Sequence, residues 1–430
     1  MTEKAHLFLY SPLMWNSEKA SMRIAHSGGS ERSETSDKSA LLTNEVKDMK
    51  NSNYFYSGNF GIERETLRVD GHGRLAQTPH PFGDDEHITR DFCENQIEIV
   101  TPVCHDIDSA LESLESLDKK VRDVLREKGE SIWLYSNPPH FDSEDDIPIA
   151  DFVGDHSSKR SYREVLEQKY GKRLMLFSGI HFNFSFDQRF LDELRPEGED
   201  SRTFTDRIYM HLYKQLMVHS WLIVLLTAAS PYYDASLDGD GRNGIIMSEY
   251  TSLRNSRRGY WNKFLPILDH RDLRTFTGSI KKHIVTGSLY SASELYLPVR
   301  LKPRGVNSLE NLAKNGVDHI ELRMFDLNPS ASVGIDSRDL HFTHFLMLYL
   351  LSQPDIPFGP QAQEKAVREH KEAALLAVSH ELLERGENIL TEMEDFFSDN
   401  NNALSIIAYE KQKFEERKVC NTIADKNIFG

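Results

Sequence analysis

The sequence predicts an α+β chain. Short stretches that alternate charged and apolar residues, as half-buried strands do, are separated by longer segments with helical spacing, and the last seventy residues carry helical patterns alone. No internal repeat is present, and neither a P-loop nor a dinucleotide fingerprint opens any helix.

The elements follow in order. Residues 1–52 differ from the rest. Segment 28–39 is polar, Ser-rich and without periodicity, so a disordered tail is expected, and Met49 just before the first ordered-looking segment offers an alternative start. A single catalytic unit is expected over 53–430, helical in its C-terminal part. A strand near 58–69 runs into Asp70-Gly71-His72-Gly73, a turn signal. A second strand covers 93–101. Residues 107–129 place Ala110, Leu111, Leu114, Leu117, Val121, Val124 and Leu125 at helical spacing. Segment 204–229 is mostly apolar and predicts a buried helix. A strand over 317–326 stops at Asn328-Pro329 and precedes a helix over 338–352. Segment 361–418 is charged and helical, with Leu375 to Val378, Leu382 and Leu383 as its apolar face.

Composition excludes several function classes. At 430 residues and 39% hydrophobic, the chain can bury a sizeable core. A net charge of −16 argues against nucleic acid as a partner, because a phosphate backbone needs a basic surface. Cys93, Cys104 and Cys420 form neither a disulfide framework nor a zinc spacing, which points to a reducing cytoplasm. The first twenty residues do not read as a signal peptide, since Glu3 and Pro12 spoil the pattern. The uncharged run from Gln215 to Tyr233 contains His219, Ser220 and Pro231 and reads as a buried helix, with no membrane span and no obligate protein partner in evidence.

The chemistry lies in four strand-like stretches. They are Gly61-Ile62-Glu63-Arg64-Glu65, Asp91-Phe92-Cys93-Glu94-Asn95-Gln96-Ile97-Glu98, Ser178-Gly179-Ile180-His181-Phe182-Asn183-Phe184-Ser185 and Ile320-Glu321-Leu322-Arg323-Met324. Successive strand residues point to opposite faces, so Glu63 shares a face with Glu65, Glu94 with Glu98, His181 with Asn183, and Glu321 with Arg323. Phe182, Phe184 and Phe186 then face the core. Asp91 is seven positions from Glu98, off its alternation, and joins the same site only from a loop or bulge. An isolated Glu-x-Glu is most often an exposed edge, a lone histidine most often a satisfied core residue, and a Glu/Arg pair often a structural ion pair. Four such faces together favour a divalent metal on a sheet, because many carboxylates buried around one histidine need cations to neutralise them. Metal on a sheet suggests phosphate chemistry. Arg300, Lys302 and Arg304 are either a solvated face or a phosphate grip. Cys93 alternates away from the carboxylates and reads as packing. Asp234 to Gly239 mimics a calcium loop, but Ile245 stands where a bidentate glutamate is needed, so a turn is expected.

Together these strings resemble the bacterial glutamate–cysteine ligases. The resemblance rests on Gly61 to Val69, Ile88 to Glu94 with Glu98 to Pro102, Ser178 to Ser185, Tyr250 to Arg254 with Gly259-Tyr260, Glu294 to Pro298, and Ile320 to Arg323 with Asp326 to Pro329, all in the family's order. It is nearer to the ligase half of bifunctional glutathione synthases than to the longer free-standing enzymes, and Cys93 replaces the small residue usual at its place. The resemblance implies a glutamine-synthetase-like curved antiparallel sheet, forming an active-site funnel flanked by helices. By motif position Glu63, Glu65, Asp91, Glu98, His181 and Glu321 look like a magnesium cage, with manganese as an alternative. Arg323 and Arg163 look like catalytic groups facing phosphate. Phe92, Tyr162, Asn183, Arg254, Tyr260 and Tyr296 look like the amino-acid pocket, and Lys302 and Arg304 like groups that hold ATP. The implied activity joins the γ-carboxylate of glutamate to the amine of cysteine through a γ-glutamyl phosphate, with ATP as co-substrate, as the first step of glutathione biosynthesis. A related ligase using a different amine acceptor remains the alternative.

Overall fold

The fold is that of a computed structural model describing residues 44–151 and 157–429, with side chains described over 44–151 and 159–419. Its strands are β1 (Gly58–Val69), β2 (Ile88–Thr89), β3 (Gln96–Val100), β4 (Ser131–Trp133), β5 (Ile180–Phe186), β6 (Tyr232–Asp234), β7 (Ile245–Met247), β8 (Val299–Lys302) and β9 (His319–Phe325). The helices are α1 (Ile107–Glu127), α2 (Ser157–Tyr170), α3 (Gln188–Leu194), α4 (Ser201–Thr227), α5 (Leu273–Val285), α6 (Leu309–Asn315), α7 (Ser337–Leu351), α8 (Pro360–Ala373), α9 (His380–Phe396) and α10 (Asn401–Phe429). The main sheet runs β2-β3-β1-β5-β9-β8, with β4 also on β1, and all its pairings are antiparallel. A separate hairpin joins β6 to β7. The α+β class with an antiparallel sheet is as expected. Among the described residues no helix is long and apolar enough to cross a membrane.

Alternation gives the sheet two unlike faces. Phe60 and Ile62 of β1, Ile97 and Ile99 of β3, Phe182 and Phe184 of β5, and Ile320 and Leu322 of β9 are all buried in the core on one side. Helices α1, α4 and α7 cover that side. Each is capped by the residue before it, Asp106, Asp200 or Asp336, whose side chain accepts a first-turn N–H. The Asp200 cap explains why α4 starts three residues before the apolar run suggests. Two arginines share the covered face. Arg64 is fully buried against Asp118 of α1, and Arg68 donates to Glu130 at 2.6 Å and to the Thr78 hydroxyl at 2.8 Å. Buried guanidinium groups need such partners, and removing one would strand a charge.

Three expectations need correction. The tail does not extend to residue 52. Residues 1–43 lie outside the described residues, but 44–51 form helical turns, Val46 is fully buried, and Lys50 pairs with Asp399 at 3.1 Å. Val46 and Phe55, both buried in the core, anchor this stretch. Second, Leu375 to Val378 are not helical. The backbone there pairs instead with the segment before Arg254: Thr251 N–H donates to Ala374 O at 2.7 Å and Leu376 N–H to Glu249 O at 2.8 Å. Third, the second strand begins at Gln96, not at residue 93, so the alternation that puts Glu94 beside Glu98 does not hold. Glu94 turns to Arg90 and to the His80 N–H, away from the other carboxylates. The Asp234 segment is a turn, as expected, with Asp234 capping residues 235–237.

The C-terminal helix closes the helical side through charges. Lys413 of α10 sits between Asp339 of α7 and Glu410, 2.9 Å from the latter. Burial pushes the Glu410 carboxyl up to about 8, with Lys413 opposing and Asp339 adding to the rise. A folded pKa above the unfolded value near 4.3 contributes stability that is complete below that value and lost as pH rises through the folded one. The melting temperature is therefore expected to fall between about pH 4 and 8, and Glu410→Gln to flatten that fall by a few degrees. Parallel thermal melts across that range check it. An unaltered slope in the variant would take Glu410 out of the account.

Candidate active site

The uncovered face of the sheet carries the charged residues, and register brings them together. Glu63 lies opposite His181, Glu65 opposite Glu98, Asn183 opposite Glu321, and Glu321 opposite Arg300. The β5–β9 register shifts between Ile180 and Phe182, beside His181. Opposed residues on antiparallel strands share a face, so five strands contribute to one floor.

His181 is the centre. Its Nδ1 is 3.2 Å from Glu63 Oε2 and 3.4 Å from Glu321 Oε1, and its Nε2 is 3.7 Å from Glu65 Oε1. One ligand atom from each of Glu63, His181 and Glu321 lies within 4.8 Å of the others. A cleft of about 170 Å³ opens above them. Glu63, Glu65, Asp91, Glu98, His181 and Glu321, the predicted cage, all line it. Asp91 reaches it from a bend outside the strand, as its spacing requires. Arg163 of α2 fixes that bend by donating to the Asp91 backbone oxygen and approaching its carboxylate at 3.5 Å.

The electrostatics divide the carboxylates. Burial raises Glu321, but Lys302, Arg323, Arg300 and His181 outweigh it and hold the group well below the usual range. Lys302 Nζ is 2.8 Å from Glu321 Oε2, and Arg323 Nη1 donates to Oε1 at 2.8 Å. Burial and the charge on Glu321 push Glu63 up, yet His181 and Lys302 bring it below normal. Burial raises Glu65, and it raises Glu98 well above the usual value with help from Asp91, Glu63 and Glu65. Arg163 lowers Glu98, but burial and the three neighbouring carboxylates outweigh it, which leaves a deficit of positive charge on that side.

That deficit tests whether a metal fits. The donors are carboxylate oxygens and one imidazole, with no thiolate, which suits a hard divalent cation. Among the described residues His181 Nε2 is buried without a hydrogen-bond partner, as a ligating nitrogen would be. The residues present fit a magnesium or manganese ion.

The rest of the cleft is aromatic and basic. Phe92, Tyr162, Tyr260 and Tyr296 line it together with Arg163, Lys302 and Arg323. The rings of Tyr260 and Tyr296 are 4.2 Å apart. Three other predicted residues lie elsewhere. Asn183 sits behind Glu63, donating to its Oε1 at 3.0 Å. Arg254 lines a smaller pocket that shares Tyr260, Tyr296 and Arg323 with the cleft. Arg304 is outside: its side chain is 90% exposed and pairs with Asp318 at 2.8 Å. The reason is that β8 ends at Lys302, so Arg304 stands past Pro303 where alternation no longer applies. Arg300, which shares a face with Lys302, takes that place in the cleft. The period of two along Val299 to Lys302 carried that signal. Cys93 is buried, its thiol pushed up by burial, and takes no part.

The family model described as Glutamate-cysteine ligase matches residues 43–292 and 277–373. The chain belongs to the glutamate–cysteine ligase family. It is 32% identical to the "Glutamate--cysteine ligase" of Clostridium acetobutylicum over 392 residues, covering 77% of this chain and 79% of that one. It is also 38% identical to the "Glutathione biosynthesis bifunctional protein GshAB" of Listeria innocua over 351 residues, which is 78% of this chain and 45% of that protein. The crystal structure of a bifunctional glutathione synthetase from Pasteurella multocida superposes with a TM-score of 0.76 at 25% identity, covering 90% of this chain and 51% of that one. The chain thus spans about half the length of the bifunctional relatives it matches.

Proposed function

We propose that this chain is a cytoplasmic ATP-dependent ligase that joins the γ-carboxylate of glutamate to the amine of cysteine, the first step of glutathione biosynthesis. The observation that carries the reading is the convergence of Glu63, His181 and Glu321 at the floor of a cleft also lined by Arg323 and Lys302. Family membership supports it. The sheet would form one side of a glutamine-synthetase-like funnel, with the aromatic residues opposite.

The reaction has two displacements. A γ-carboxylate oxygen of glutamate attacks the terminal phosphorus of ATP and ADP leaves. The cysteine amine then attacks the acyl carbon, phosphate leaves, and the amine loses its proton. Phosphoryl transfer needs positioning and charge compensation more than a protein nucleophile. Magnesium or manganese, held by Glu63, Glu65, Asp91, Glu98, His181 and Glu321, would supply Lewis-acid compensation of phosphate charge. Arg323 is fixed by Glu321 and presents a planar fork to the equatorial oxygens of the transferring group. Lys302 and Arg300 add positive charge on the β8 side, where ATP phosphates would lie. Arg163 holds Asp91 in place. Phe92, Tyr162, Tyr260 and Tyr296 exclude water, which would otherwise hydrolyse the acyl phosphate.

Mass spectrometry of the product from glutamate, cysteine, ATP and magnesium tests this. A dipeptide with a γ linkage and one ADP per product is expected, and chelation by EDTA should abolish it until magnesium returns. ADP release only with another amine would replace cysteine as the acceptor. No ADP release with any acid and amine would overturn the reading.

A further inference from the structure

Arg254 owes its position to two residues that have no role in the reaction above. Its guanidinium lies flat on the backbone of Gly179: a Cβ there would fall 2.4 Å from Arg254 Cζ and 2.6 Å from Nε. Only a residue without a side chain admits that approach. The backbone of Gly179 is in turn held by the sheet, since Glu65 N–H donates to its oxygen at 3.0 Å. Asp326, buried at 2% exposure, holds the segment that carries Arg254. Asp326 accepts from Ser230 Oγ at 2.6 Å, Ser252 Oγ at 2.9 Å and Ala229 N–H at 3.0 Å, so its carboxylate cannot rotate away. Asn255 ties the same group to the strand, donating to Ser252 Oγ at 2.8 Å and to Met324 O at 2.9 Å. The Arg254 guanidinium itself makes a weak bond, Nη1 to Phe325 O at 3.3 Å, which leaves fork donors for a ligand.

We propose that Gly179 and Asp326 are positioning residues that aim Arg254 into the pocket beside Tyr260, Tyr296 and Arg323, where it grips the α-carboxylate of an amino-acid substrate. This rests on the ligase reading. Both amino-acid substrates carry an α-carboxylate, and a planar guanidinium matches a carboxylate with two parallel hydrogen bonds. Gly179 supplies the room, and Asp326 anchors the segment that carries Arg254 through Ser252 and Asn255.

A double-mutant cycle tests the proposal. Gly179→Ala should raise the KM of one amino-acid substrate about tenfold or more while kcat changes by less than about threefold, as loss of uniform binding does. Asp326→Asn should act on the same substrate. In an Arg254→Lys background, which keeps a charge and a measurable rate but has no flat head to displace, adding Gly179→Ala should cost less than about twofold more. Multiplying losses in the double variant would overturn the proposal. So would weaker manganese binding by Gly179→Ala, because the disturbance would then have passed to His181. Product absent already from the wild-type chain would bring down the ligase reading. Product from the wild type with an additive cycle would bring down the positioning role alone.

Discussion

Glu321→Gln is expected to lower ATP turnover by about a thousandfold or more while the chain remains folded. The side chain has no exposed surface, and three cations face it: Lys302, Arg323 and Arg300. Glutamine keeps the shape and removes the charge. Lys302 and Arg323 then stand at the metal floor without their anion, repelling the cation that Glu63 and His181 would share. The same loss bears on stability, since breaking a buried pair costs about 3–5 kcal/mol. Activity must therefore be expressed per folded molecule, from melts and circular dichroism on the same sample. Manganese titration gives a second readout independent of turnover, and binding should weaken by about tenfold or more. Unchanged turnover together with unchanged manganese affinity would remove Glu321 from the cage.

Most of the floor was legible because strands encode their faces directly. Glu63, Glu65, Glu98, His181, Glu321 and Arg323 fall on one side wherever the period of two continues. The reading failed where the strand stopped. Glu94 precedes Gln96 and Arg304 follows Lys302, so both lie beyond the ladder that sets direction. The helix predicted through Leu375 failed for a related reason: nearby apolar residues suit helix or strand, and a distant segment, Glu249 to Thr251, decided between them. Positioning by Gly179 was not legible at all, because an absent side chain gives no pattern. Only the place of Arg254 in space shows what the absence accommodates.

Arg323→Lys is expected to lower kcat by about a hundredfold or more, with the KM values for amino acids changing much less. Burial opposes its charge, but Glu321, Glu65 and Glu63 outweigh that and hold it raised, so the guanidinium is charged at every working pH. Charge alone is therefore not what the substitution removes. One donor is committed to Glu321 at 2.8 Å, while the residue lines both the metal cleft and the Arg254 pocket. A fork anchored at one end can present its remaining donors to a transferring phosphoryl group in fixed geometry. A lysine must give its single ammonium either to Glu321 or to the substrate. Lys302 already neutralises the other oxygen of Glu321, so the cage is expected to keep its metal, and manganese affinity should stay within about threefold of the wild type. That separates Arg323→Lys from Glu321→Gln, in which both quantities fall. A lysine variant turning over at near the wild-type rate would show that position 323 supplies charge balance for Glu321 and no geometric grip on phosphate.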